Sequence, residues 1–334
     1  MNIQTIRAAA LCLALFALAS QVHSAELTLP RDGWASWQVE AVEGAPAFCC
    51  WSNWDDREAS RMSCQLDRDP SNYGTRDHAT TDAVRVYARV AGGKVERLRV
   101  LSATCPVETA TPIQVINTTT DDSARWLMTL SKSSTAAAES NDLGENVLAG
   151  LAMHRGGLAH NALVAMARED GRTETRKKAV FWLALLRGAA GAEVASSIMF
   201  NDKDADVRKH AAFSITQSKS PRVTADLIRL GNTDKDGDVR AQAWFWLAHT
   251  GAAQSEDAIA AALRKDADDQ VREQAIFALS QLPEERATRA LIATAEDQSL
   301  SREQRKRAVF WLSQSKADAA QAYLEKVLAR NIAN

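Results

Sequence analysis

Apolar positions along this chain follow two rhythms. Between residues 84 and 90 they alternate, with Val84, Val86, Ala88 and Val90 on one side; Gly92-Gly93 interrupts, and a second strand-like run follows. Period two marks a half-buried strand, and paired glycines between two such runs are hairpin-turn chemistry, so a β-hairpin is predicted here. Beyond about residue 140 the texture is alanine-rich helix with few glycines and prolines. The segments "RKKAVFWL" at 176, "RKHAAFSI" at 208, "RAQAWFWL" at 240, "REQAIFAL" at 272 and "RKRAVFWL" at 305 align without gaps, at spacings of 32, 32, 32 and 33 residues. Five of the eight phenylalanines (Phe181, Phe213, Phe245, Phe277, Phe310) share one column. Second helical segments lie between these, with Pro221 and Pro283 where a first helical turn tolerates proline. Each unit is then an αα-hairpin too small to bury its own apolar faces. Units of that kind must stack on their neighbours, which predicts an α-solenoid over residues 141–334 with about six helix pairs, counting a weaker first unit in "NVLAGLAMHRGGLAHNALVAM".

Acidic triplets precede the arginine-bearing helices: Asp202, Asp204 and Asp206; Asp234, Asp236 and Asp238; Asp266, Asp268 and Asp269. The second triplet has the alternation of a calcium loop. Such a loop also needs glycine at its sixth position and glutamate at its twelfth, where this chain has Val239 and Phe245. The aspartates are therefore expected to cap helices and meet their positive ends, with the arginine column tying neighbouring loops together through those carboxylates.

The units resemble HEAT repeats of the short kind found in phycobilisome-lyase-related proteins, whose pattern is Asp, a short loop, Val-Arg, then Ala-Ala and Leu. Asp202, Asp204, Val207, Arg208, Ala211 and Ala212 match it, as do Asp236, Val239, Arg240 and Ala243. Thr175 and Gln304 depart from it in place of the valine. The whole chain is similar to exported bacterial HEAT-repeat-domain proteins with a cysteine-bearing N-terminal region. That resemblance implies that the Val-Arg helices line a concave face. Taking the repeated alanine as the origin, at about 100° per residue, the column Trp182, Ser214, Trp246, Ala278 and Trp311 lies at about 300° and the column Lys178, His210, Gln242, Gln274 and Arg307 at about 260°. Two expectations compete for the indoles. Aromatics at helical spacing usually fill a core. Alternatively Trp182, Trp246 and Trp311, with Lys178, His210 and Arg307 beside them, contact a protein partner in the groove.

The N-terminal part reads differently. Arg7 precedes the apolar run "AAALCLALFALAS", and "VHSA" follows, the order of a secretory signal peptide over residues 1–25 with cleavage near Ser24 or Ala25. The run is shorter than the roughly 20 residues a spanning helix needs. Loss of that segment removes Cys12 and leaves Cys49, Cys50, Cys64 and Cys105, an even number for an oxidising compartment. Two disulfides are expected. A bridge between neighbours would be strained, so Cys49 and Cys50 are each expected to reach out to Cys64 or Cys105. Five of the seven prolines fall in the first 112 residues. This marks residues 26–118 as a small β-rich, disulfide-bearing domain, with Trp34, Trp37, Trp51 and Trp54 filling its core or, alternatively, forming a carbohydrate or peptidoglycan platform. Residues 119–140 read as a short helix, capped by Asp122 or Ser123, and a linker. The fold class is then α+β, a cysteine-bearing β-rich domain followed by an all-α HEAT-like solenoid.

Charge and chemistry change this picture little. With 40 basic against 42 acidic residues, no global pull toward nucleic acid or membrane surface exists. No HExxH, GxSxG, P-loop or GxGxxG is present, and the cysteines do not have zinc spacing. His154 and His160 flank Gly156-Gly157 without a nearby carboxylate or thiolate in sequence, so both are expected to be structural. No metal or cofactor is expected, and no enzyme; export and a solenoid without cysteine speak against a lyase-type activity. The expected function is an exported scaffold, periplasmic or secreted and without stable membrane insertion, that binds another protein through the solenoid groove.

Overall fold

The computed structural model describes residues 27–51, 63–69, 72–133 and 142–332. The signal-peptide segment, Trp54 and residues 134–141 of the predicted linker lie outside them. The N-terminal part contains β1 (Gly33–Glu40), β2 (Pro46–Trp51), β3 (Cys64–Gln65), β4 (Asn72–Thr80), β5 (Ala83–Ala91), β6 (Lys94–Ser102), β7 (Val107–Glu108) and β8 (Ile113–Val115). They form a four-stranded sheet in the order β6-β5-β1-β8 and two small pairs, β2-β4 and β3-β7. The predicted hairpin is β5-β6. Gly92 and Gly93 turn it with φ of 56° and 77°, a left-handed pair that side chains with a Cβ adopt poorly.

Alternation gives β1 two different faces. Trp34 points to a small core of Leu66, Tyr87, Leu101 and the four cysteines, whereas Ala35, Trp37 and Val39 point to the helices. Cys49 and Cys50 each take their own partner: Cys49 pairs with Cys105 and Cys50 with Cys64, at Cα separations of 5.4 and 4.8 Å. The indole N–H of Trp34 donates to Asp67 Oδ1 at 2.8 Å. That bond, with the Ala110 amide, holds the Asp67 carboxyl below its ordinary value.

Thirteen helices follow among the described residues. They are α1 (Thr120–Ser131), α2 (Asp142–Met153), α3 (Gly157–Glu169), α4 (Thr173–Leu186), α5 (Gly188–Asn201), α6 (Ala205–Thr216), α7 (Val223–Thr233), α8 (Gly237–His249), α9 (Ser255–Lys265), α10 (Asp269–Ser280), α11 (Glu284–Glu296), α12 (Arg302–Ser313) and α13 (Asp318–Ile332). The cap of α1 is Thr119, not Asp122 or Ser123: its hydroxyl accepts from the Asp122 amide. Ser123 lies one turn inside and is fully buried, because it serves a different purpose. Trp37 Nε1 donates to Ser123 Oγ at 2.7 Å, Ser123 Oγ meets His154 Nε2 at 2.7 Å, and His154 Nδ1 meets the Gly150 carbonyl at 2.6 Å. The carbonyl can only accept, so Nδ1 carries the proton and Nε2 accepts from the serine. This buried chain joins sheet, α1 and α2. Two backbone bonds reinforce it, from the Val42 amide to Met153 and from the Arg155 amide to Glu40. One apolar core therefore runs from Trp37, Val86 and Val100 of the sheet through Leu127 and Leu151 to Leu312 of α12.

The repeated alanines (Ala179, Ala211, Ala243, Ala275, Ala308) are completely buried, and so are the leucines or isoleucine four residues on. The small column lets helices approach, and the large one fills the space between them. From α4 to α12 the even-numbered helices lie closely side by side, while the odd-numbered ones touch one another at few points. The tighter layer is the inside of a curve, so the even helices line the concave face. One repeat exchanges large for small: Trp244 is buried where Val180, Ala212 and Ile276 stand elsewhere, and Gly231 makes room for it. A Cβ on Gly231 would lie 2.5 Å from the Trp244 ring.

Candidate interaction surface

The loops fix the orientation of the inner helices. Asp204, Asp236 and Asp268 are N-caps of α6, α8 and α10, each accepting a backbone N–H with its carboxylate. Two residues earlier, Asp202, Asp234 and Asp266 accept the amide of the capping aspartate and a guanidinium from the preceding repeat. Arg208 reaches Asp234 with two bonds of 2.8 and 2.9 Å, and Arg240 reaches Asp266 with two of 2.8 Å. Each arginine also donates to the carbonyl of Asp202 or Asp234 in its own loop. The hydrogen bonds from Arg240 hold the Asp266 carboxyl below its ordinary value. Burial pushes Asp234 up, and the bonds from Arg208 and the Asp236 amide outweigh it. The ladder changes at Arg272, which pairs with Asp269 of its own helix; Arg264 takes Asp297, in the loop that carries the one-residue-longer spacing.

On the concave face the rings of successive repeats touch. Phe181 stacks on Phe213 at 5.8 Å and 10°, and Phe245 on Phe277 at 5.7 Å and 15°. Trp246 meets Phe213 at 4.8 Å and Phe245 at 4.9 Å, and Trp311 meets Phe277 at 5.0 Å and Phe310 at 5.1 Å. Trp182 packs edge-on to Phe181 at 5.4 Å. The rings alternate because Ser214 and Ala278 are small: a tryptophan from the next repeat leans into the space each leaves. The tryptophans are half-buried, and the indole N–H groups of Trp246 and Trp311 are buried without a hydrogen-bond partner among the described residues. Phe181, Phe213, Phe245 and Phe277 remain partly exposed, and Phe310 is half open to solvent.

The polar positions border this ridge. Lys178 pairs with Glu145 of α2 at 3.4 Å and Arg307 with Glu273 at 3.7 Å. His210 lies edge-on to Phe213 at 5.7 Å, and burial pushes its pKa down. Lysine and carboxylate pair within α4, α6 and α12, as Lys177–Glu174, Lys209–Asp206 and Lys306–Glu303. On α8 the lysine column holds Ala241 instead, which opens a depression of about 400 Å³ lined by Gln242, Phe245, Gln274 and Phe277. A second, of about 320 Å³, lies between Gln274, Phe277, Arg307 and Trp311. The structure thus gathers all six predicted contact residues on the inner layer, but the column that crowns it is phenylalanine. The signal was available: two residues after the alanine is about 200° around the helix, nearly opposite the buried side. A hydrophobic column there in every repeat has no core to enter.

Trp34 and Trp37 are both buried and offer no face to a ligand. No helix among the described residues is long and apolar enough to cross a membrane.

The fold is α+β, a small sheet region with two disulfides followed by a helical solenoid. Within it, the family model described as HEAT repeats matches residues 161–248 and 233–313, so the helical part carries a HEAT-repeat domain. Among solved structures, YibA of Escherichia coli is 21% identical, with 60% of this chain and 74% of that chain covered and a TM-score of 0.38. Human deoxyhypusine hydroxylase in complex with glycerol is 14% identical, with 62% and 90% covered and a TM-score of 0.28. These TM-scores are too low to bear on function. No curated protein matches the chain.

Proposed function

We propose that this protein is an exported, non-catalytic scaffold that holds another protein against the aromatic ridge of its concave face. One observation carries the reading: five consecutive repeats each direct a phenylalanine away from the core, and the rings join with three tryptophans into a continuous strip. A contiguous, partly exposed apolar strip bordered by amides and paired charges has the make-up of a protein-binding surface. Paired disulfides support an oxidising compartment. The test is co-purification from the native envelope with wild type and with Phe245→Ala/Phe277→Ala. These rings are partly exposed, so the variant should unfold cooperatively near the wild-type midpoint while losing the partner. Retention of the same partner by a folded variant would refute the assignment.

A further inference from the structure

The outer layer departs from its own repeat at two facing positions. Counted from the arginines at 176, 208, 240 and 272, the position eighteen residues on holds Val194, Asp226, Ala258 and Ala290, and the position twenty residues on holds Ser196, Ile228, Ala260 and Ile292. Ser196 on α5 and Asp226 on α7 are thus polar where the other three of these four repeats are apolar. The two meet: Ser196 Oγ donates to Asp226 Oδ2 at 2.8 Å, and both residues are more than nine-tenths buried. The other oxygen, Oδ1, accepts a long hydrogen bond of 3.4 Å from Arg222, whose side chain is largely exposed. Beside this pair lies a cavity of about 350 Å³, with Ala192 on its wall and Glu193, Lys219 and Arg222 exposed at its mouth.

A buried carboxylate costs stability, and a repeat that supplies alanine and isoleucine elsewhere had an apolar solution at hand. Departure from it at two facing positions, next to a cavity, is the mark of a site kept for binding. We propose that this pocket binds a free α-amino acid, a ligand unrelated to the partner on the concave face. The ammonium donates to Asp226 Oδ1 inside, and the carboxylate meets Lys219 and Arg222 at the mouth. Ala192 leaves space for a small side chain. Two opposite charges separated by one carbon suit a pocket with a buried carboxylate on its floor and a mouth where Lys219 and Arg222 outnumber Glu193.

The experiment is isothermal calorimetry on the mature protein with L-alanine, L-serine and L-leucine, alongside propylamine, propionate and tri-alanine. At least one amino acid should bind, at least tenfold more tightly than the singly charged analogues or tri-alanine. Asp226→Asn, which keeps an acceptor for Ser196, should weaken that binding at least tenfold. Ser196→Ile/Asp226→Ala, which installs residues the same columns carry elsewhere, should abolish binding with an unchanged or higher Tm. Absence of binding by all three amino acids, equal binding of propylamine or tri-alanine, or undiminished binding by Asp226→Asn would each overturn the proposal.

Discussion

Acidification should weaken this fold chiefly through one histidine, well before its carboxylates titrate. His154 is completely buried between sheet and α2, and both ring nitrogens are engaged, Nδ1 by the Gly150 carbonyl and Nε2 by Ser123. Burial, opposed in part by the bond to Gly150, pushes its pKa down from 6.5 to about 4. A native histidine with a depressed pKa binds fewer protons than the unfolded one between those two values. Its contribution is therefore fully present above pH 6.5 and is lost as pH falls toward 4. A displacement of that size corresponds to about 3 kcal/mol, a large part of the stability of an ordinary domain. Urea denaturation followed by far-UV circular dichroism, at half-unit steps from pH 7.5 to 4.5, measures it. His154→Gln, which can accept and donate but not titrate, should start less stable and show a markedly flatter profile. NMR titration of the His154 ring should place its pKa near 4 in the native protein. Equal slopes in wild type and variant, or a ring that titrates near 6.5, would refute the reasoning.

Other outcomes follow from neighbouring features. Arg208→Leu strands the buried carboxylate of Asp234 and should cost about 3–5 kcal/mol by chemical denaturation, the range for removing one partner of a buried pair. Gly231→Ala drives a methyl group into the Trp244 ring and should cost about 1–3 kcal/mol; a Trp244→Ile background should absorb most of that, giving a clear coupling in a double-mutant cycle. The mature protein should show no alkylatable thiol without reductant, read by mass spectrometry, since all four cysteines are paired. Calcium should leave Tm where EDTA leaves it, because the oxygens of Asp234 and Asp266 are taken by arginines and backbone amides. A calcium-dependent rise would mean that the loops exchange those partners for a metal.

Much of this architecture was legible in the sequence. The repeat spacing defines the helical stack, since only stacking buries the alanine and leucine columns of so short a unit. The aspartate-arginine ladder was legible for the same reason: residues one repeat apart become neighbours in space. What sequence order hides is contact between segments without a common period. Trp34 and Trp37 look like one cluster in sequence, yet an odd spacing on a strand sends them to opposite faces, one to the disulfides and one to the helices. Ser123 reads as a cap because serine favours caps, and only the arrival of Trp37 and His154 reassigns it. The phenylalanine ridge was missed for a different reason. The phenylalanine column marks the repeat in the sequence, but its outward direction follows only from its angle to the alanine column.

The sheet gives the solenoid a clamped end. Rolling α2 would pull on backbone hydrogen bonds from Val42 and Arg155 as well as on the Trp37–Ser123–His154 chain, so the first pair is tied to the four-stranded sheet. Farther along, the inner helices meet their neighbours through side chains and the arginine bridges between loops, which can slide by fractions of an ångström at each joint. Small displacements add along such a stack. The solenoid is in that sense a spring held at one end, and its stiffness to bending is set joint by joint. A load spread over several phenylalanines would then bend the stack a little at every joint, with the four-stranded sheet as its anchored end.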